Sequence, residues 1–153
     1  MRIEITLAYD RLDHIKLLFS EYVAMLGVDL SFQSYEAEFS ALPGDYALPS
    51  GRLYVADYDN HLAGCIALKH YDGAYCEMKR LFVRPGFRGK HVGLALAEKV
   101  ISDAKDMDYK ALLLDTMGFL PASIALYRKL GFIEMAPYRY NPLVDAMFFK
   151  LEL

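Results

Sequence analysis

The sequence predicts an α/β fold: a central mixed sheet, mostly antiparallel, with helices packed on both faces. Three observations predict it. Short runs of β-type alternation crowd the middle of the chain, and runs of helical spacing flank and interrupt them. The segment 62–68 is apolar on both faces, as a strand covered from both sides must be. Finally, a long helical run separates two apolar strands, which makes those two strands parallel neighbours. With 153 residues, 55% hydrophobic and 24% charged, the chain reads as one globular domain spanning 1–153.

The elements follow in order. Residues 2–8 alternate, with Ile3, Ile5 and Leu7 on one face. Asp10 offers a helix N-cap, and Ile15, Leu18, Phe19, Tyr22 and Met25 lie at helical spacing until Gly27 ends the run. A shorter amphipathic stretch covers 35–42 and stops at Pro43-Gly44. Residues 45–51, with two prolines, read as a loop. A meander comes next, with strands at 52–57, 61–71 and 75–83 joined by turns at Asp59-Asn60 and Asp72-Gly73. Val92, Leu96, Val100, Ala104 and Met107 mark a long helix, and 111–115 is the strand it leads to. Pro121 suits the first turn of another helix, which carries Arg128 and Lys129 in its last turn and Gly131 behind it. Residues 132–135 and 147–151 supply two closing strands.

Composition narrows the function. The formal net charge is -3 and the isoelectric point is near 5.8, which argues against a nucleic-acid partner. The one tight basic cluster is Lys79, Arg80, Arg84, Arg88 and Lys90, and five cations within twelve residues suit a small polyanion. No run approaches the apolar length that crosses a membrane, and residues 1–10 lack a signal-peptide pattern. Cys65 and Cys76 form no CxxC pair and read as buried free thiols of a reducing compartment, so a cytoplasmic protein is expected. His61, Cys65, His70 and Cys76 match no usual zinc spacing, so no metal is expected. Twelve tyrosines and nine phenylalanines without tryptophan suit a cavity that is apolar yet able to hydrogen-bond.

The richest segment is 81–96. A strand runs into a turn with Pro85, Gly86 and Gly89, and a helix starts at once. Unpaired N–H groups and the positive dipole end make such a helix start an anion site. Gly89 and Gly93 let the anion approach the backbone, while Arg88 and Lys90 add charge. Neither a Walker A loop nor a Rossmann fingerprint is present. Arg88-Gly89-Lys90-His91-Val92-Gly93, preceded by Leu81-Phe82-Val83-Arg84-Pro85, instead resembles motif A of the Gcn5-related N-acetyltransferases, [RQ]-x-x-G-x-[GA]. His91 stands where that family usually has glycine. About 35 residues later, Ala125-Leu126-Tyr127-Arg128-Lys129-Leu130-Gly131-Phe132 resembles its motif B, with Ser123 and Leu120 in place of the usual alanine and asparagine.

This resemblance implies the acyl-CoA N-acyltransferase type of α/β fold and an enzyme that moves acetyl from acetyl-coenzyme A to an amine, as a monomer or homodimer. It places the pyrophosphate on the backbone of Arg88, Gly89, Lys90, His91, Val92, Gly93 and Leu94. The pantetheine would lie as a pseudo-strand along Leu81, Phe82 and Val83. Tyr127 would give a proton to the departing thiolate. Glu77 matches the strand glutamate that activates the amine in some members, and a plain ion pair with Lys79 is the other reading of it. Tyr22, Phe32, Tyr35, Glu36, Glu38, Tyr46, Tyr138, Arg139, Tyr140 and Asn141 are candidates for the acceptor pocket, with Tyr35, Glu36, Tyr138 and Asn141 placed first. An open groove for a protein N-terminus or lysine, and a non-catalytic acyl-CoA sensor, are the alternative readings.

Overall fold

The computed structural model describes residues 2–31 and 34–153, so Phe32 lies outside the described residues. The strands are β1 (Ile3–Leu7), β2 (Arg52–Tyr58), β3 (His61–Asp72), β4 (Tyr75–Val83), β5 (Ala111–Met117), β6 (Ile133–Met135) and β7 (Ala146–Glu152). The helices are α1 (Leu12–Leu26), α2 (Tyr35–Ser40), α3 (Val92–Asp106) and α4 (Pro121–Lys129). All seven strands join one sheet in the order β1-β2-β3-β4-β5-β7-β6. Among the described residues only β4 and β5 pair in parallel, because the α3 crossover brings the chain back to the same end of the sheet.

Each face buries its own core. On one side Val92, Leu96, Ala97, Val100 and Ala104 of α3 and Tyr127 of α4 pack on Ile66, Leu68, Cys76, Met78, Leu112 and Leu114. On the other, Ile15, Leu18 and Phe19 of α1 and the Tyr46 ring pack on Leu53, Val55, Cys65, Ala67 and Phe82. Residues 63–68 of β3 are buried without a break, the two-sided cover that their composition implies. The helix boundaries depart from expectation in two places. Arg11, not Asp10, stands at the α1 N-cap position and makes no capping bond. Its guanidinium instead meets Asp57 of β2 at 2.7 Å. Helix α2 ends at Ser40, earlier than its apolar spacing implies.

Two irregularities of β4 shape the centre of the molecule. Ala67 pairs with Lys79 while Cys65 pairs with Phe82, so one extra residue is accommodated between them. Arg80 at this bulge has a φ of 61°, a conformation that side chains other than glycine seldom adopt. Just beyond the bulge Gly64 pairs with Val83, where a Cβ would stand 2.5 Å from the Phe82 carbonyl oxygen, so only glycine lets the strands close there. Second, the β4–β5 ladder contains Tyr75↔Ala111, Cys76↔Leu112 and Glu77↔Leu113 and then stops. Beyond Glu77 the two strands part, opening a wedge in the middle of the sheet.

The buried thiols give the fold a pH dependence. Burial pushes Cys65 well above its ordinary 9.0 and Cys76 up to about 12, so above pH 9 the unfolded chain releases two protons that the folded chain keeps. Stability then falls as pH rises. Lys79 acts oppositely, because burial lowers it from 10.5 to about 8, but it offsets only one thiol. Buried tyrosines such as Tyr127, raised by desolvation, add to the fall. Urea unfolding is expected to give a stability at least ~1 kcal/mol lower at pH 10 than at pH 9, and an increase would mean that the thiols titrate freely in the folded state.

Candidate active site

The end of β4, the turn that follows it, the start of α3 and the start of α4 enclose a cleft of about 500 Å³. Its walls include Leu81, Phe82 and Val83 of β4, Arg88 and Gly89 of the turn, and His91, Val92, Gly93 and Leu94 at the start of α3. Phe119, Pro121, Ser123 and Leu126 close the opposite wall. Every residue expected to hold the coenzyme lines this cleft except Lys90. The Lys90 ammonium stands 5.5 Å over the Tyr58 ring instead, so its expected side-chain contribution to the anion site is not found. The Arg88 guanidinium bonds the Val83 carbonyl at 3.1 Å, which braces the turn against the end of β4.

His91 occupies the N-cap position of α3 with φ 66°, and Gly89 has φ 76°. Glycine's usual place at the first of these positions has a plain cause, since the left-handed region costs a side chain energy. A Cβ on Gly93 would sit 3.6 Å from both Val83 Cγ2 and Leu126 Cδ2. One methyl group would therefore still fit between β4 and α4 at ordinary contact distance. The cradle fits a coenzyme A pyrophosphate: unpaired helix-start N–H groups, a guanidinium at the rim, and glycines where the anion must approach.

A smaller cavity of about 50 Å³ adjoins the cleft and shares Met25, Leu81, Leu120 and Ser123 with it. It is also lined by Tyr22, Lys79, Asp115, Thr116 and Tyr127. Tyr127 is only 6% exposed, and its phenol is pushed up by burial and by nearby Tyr22 and Asp115, with Ser123 pulling slightly down. It packs against Phe132 and Phe149, which fix its ring. A protonated, dry, positioned hydroxyl beside the smaller cavity is able to donate to a charge that develops next to it.

The face of the sheet opposite α3 carries a second set of buried charges. Glu77 is fully buried, and its charge supports the Lys79 ammonium more than that of Asp115 does, against the larger lowering effect of burial. Glu77 Oε2 accepts from the Tyr138 hydroxyl at 2.6 Å and its Oε1 from Arg139 Nη2 at 2.7 Å. Lys79 meets Asp115 of β5 across the wedge at 3.9 Å, both side chains being 5% exposed. Arg80 is held by both oxygens of Glu38, at 2.9 and 3.1 Å, with the Tyr35 ring 5.3 Å away. Asn141 donates to Asp115 Oδ2 at 3.2 Å.

The structure thus gathers Tyr138, Arg139 and Asn141 around Glu77 and Asp115, and brings Tyr22 and Tyr35 in through Arg80. Glu36 is exposed on α2 and faces a separate surface groove with Ser20 and Phe39, away from this cluster. Tyr140 is 76% exposed and takes no part. Glu38 is no solvated helix carboxylate but the partner of a buried arginine. Asp115 escaped the sequence reading because it sits in an apolar run, where one acid in residues 111–115 is itself the signal of a cavity.

Fold and cleft together define an acyl-coenzyme A-dependent transferase. Residues 16–132 match the model of the Acetyltransferase (GNAT) family. An uncharacterized N-acetyltransferase of Dictyostelium discoideum is 34% identical, with both chains covered in full. Another, of Schizosaccharomyces pombe, is 35% identical over 93% of this chain and 88% of its own. Among solved structures, the PaiA N-acetyltransferase of Thermoplasma acidophilum in complex with coenzyme A superposes with a TM-score of 0.76, covering 100% of each chain at 18% identity, a likeness of fold. The chain belongs to the GNAT family of acetyltransferases and is an N-acetyltransferase.

Proposed function

We propose that this protein transfers the acetyl group of acetyl-coenzyme A directly to a primary amine of a small molecule or peptide, with Tyr127 as the proton donor to the departing thiolate. One observation carries the reading: the cavity lined by Tyr127 and by the Asp115 carboxylate adjoins the coenzyme cleft, the two sharing Met25, Leu81, Leu120 and Ser123. Acetyl-coenzyme A supplies the activated carbonyl and the thiolate leaving group. The chain orients that thioester between β4 and β5, excludes water from it, and moves the protons. An ammonium has no lone pair, so a base must accept its proton before attack.

Glu77 has the residue type for this base and lies one rung behind the wedge. Both its oxygens are engaged, by Tyr138 and Arg139, and its exposure is 0%. These contacts support a positioning role, in which Glu77 holds the loop after β6 against the sheet. A thiol-release assay with acetyl-coenzyme A against amines, amino acids, polyamines and peptides tests the whole reading. Thiol release matched by acetylated product is the expected outcome. Coenzyme binding without release for any acceptor would instead make the protein an acyl-CoA sensor.

A further inference from the structure

The rung after the last hydrogen-bonded pair of β4 and β5 is Lys79 opposite Asp115. Glu77↔Leu113 is the final pair of the ladder, and each of these two side chains lies two residues further along its own strand. They share the face of Glu77, and both line the small cavity that Tyr127 and Leu81 close from the other side. Among the described residues this is the loosest of three acid–base pairs on the acceptor face. Arg139–Glu77 stands at 2.7 Å and Arg80–Glu38 at 2.9 Å, both hydrogen-bond distances. Lys79–Asp115 stands at 3.9 Å, too long for one.

An acceptor that brings only an ammonium would lose its hydration here among acids that already face cations, and that desolvation is costly. A zwitterion avoids the loss, because opening one ion pair leaves each of four charges with an opposite neighbour. We propose that the acceptor is an amino acid whose head group inserts between Lys79 and Asp115. The Lys79 ammonium takes its carboxylate, and the Asp115 carboxylate takes its ammonium and then one proton from it. This rests on the reading above that the chain acetylates an amine.

The balance of the step is simple. The freed nitrogen lone pair forms the C–N bond as the C–S bond breaks. Of the two protons the nitrogen sheds, one passes through Asp115 to solvent and the other replaces the proton that Tyr127 gives to sulfur. Asn141, bonded to Asp115 Oδ2, fixes that carboxylate while Oδ1 faces the lysine.

The test compares each amino acid with its own carboxamide, which keeps the side chain and the amine and removes one charge. The α-amine of the carboxamide is the less basic and more of it is unprotonated at neutral pH, so a preference for the acid runs against that trend. We expect kcat/KM at least about 100-fold higher for some free amino acids than for their amides. Lys79→Met is expected to shrink that ratio below about 10-fold, and Asp115→Asn to lower kcat for both. As a readout apart from turnover, calorimetry on the wild-type coenzyme A complex is expected to show binding of the amino acid and at least about ten-fold weaker binding of the amide. Wild-type amides acetylated as well as acids, or bound as tightly, would overturn the proposal and leave the acetyltransferase reading intact. Failure of every amine would overturn both.

Discussion

Tyr127→Phe is expected to lower turnover by about 100-fold or more while acetyl-coenzyme A affinity stays within about two-fold, since a positioned general acid typically contributes at least that much. Burial raises the Tyr127 phenol above its ordinary value, which makes it a weaker acid in isolation. The same dry surroundings raise the proton affinity of a thiolate released beside it, so the transfer remains favourable. Ring packing against Phe132 and Phe149 survives in the variant, so its fold and cleft should be unchanged. Pre-steady-state thiol release with a titration of coenzyme affinity checks both halves. Turnover equal to wild type would assign the proton to water.

Gly93→Leu is expected to weaken acetyl-coenzyme A binding by roughly 10- to 100-fold, the range that overfilling a packed site usually costs. A Cβ alone would find Val83 Cγ2 and Leu126 Cδ2 at 3.6 Å, an ordinary contact, so Gly93→Ala should be nearly silent. A longer side chain must enter the cleft between β4 and α4. Gly89 makes a poorer probe, because φ 76° strains any side chain there whether or not ligand binds. Isothermal titration of the glycine, alanine and leucine forms gives the series. Equal affinities across it would place the pantetheine elsewhere.

Where the signal is local, the sequence is a sufficient guide. The strand ends at Tyr75 and Val83, the start of α4 at Pro121 and its end at Lys129 all fall where turn chemistry and period place them. The glycine-rich turn works through backbone atoms, and those are written directly into the spacing of Gly89 and Gly93. The acceptor face was only partly legible because it is assembled over distance. Glu77 meets Tyr138 and Arg139 more than sixty positions away, and Glu38 meets Arg80 across forty-two. No periodicity encodes such pairs. The bulge at Arg80 adds a further break, because strict alternation would put Lys79 and Phe82 on opposite faces, whereas both share the side of Ala67 and Cys65. Parity leads to Lys79 as the charged neighbour of Glu77, but its hydrogen-bond donors come from the loop after β6.

That loop is a connecting segment, the kind of element that tolerates change. Here the freedom is limited by a single buried carboxylate. Any replacement of residues 136–142 must still deliver one cation and one hydroxyl to Glu77, or else leave a charge stranded at the centre of the sheet at a cost of several kcal/mol. A loop grafted onto this scaffold without such a cation and hydroxyl will therefore succeed only when Glu77 is exchanged with it, so strand residue and loop must be redesigned together.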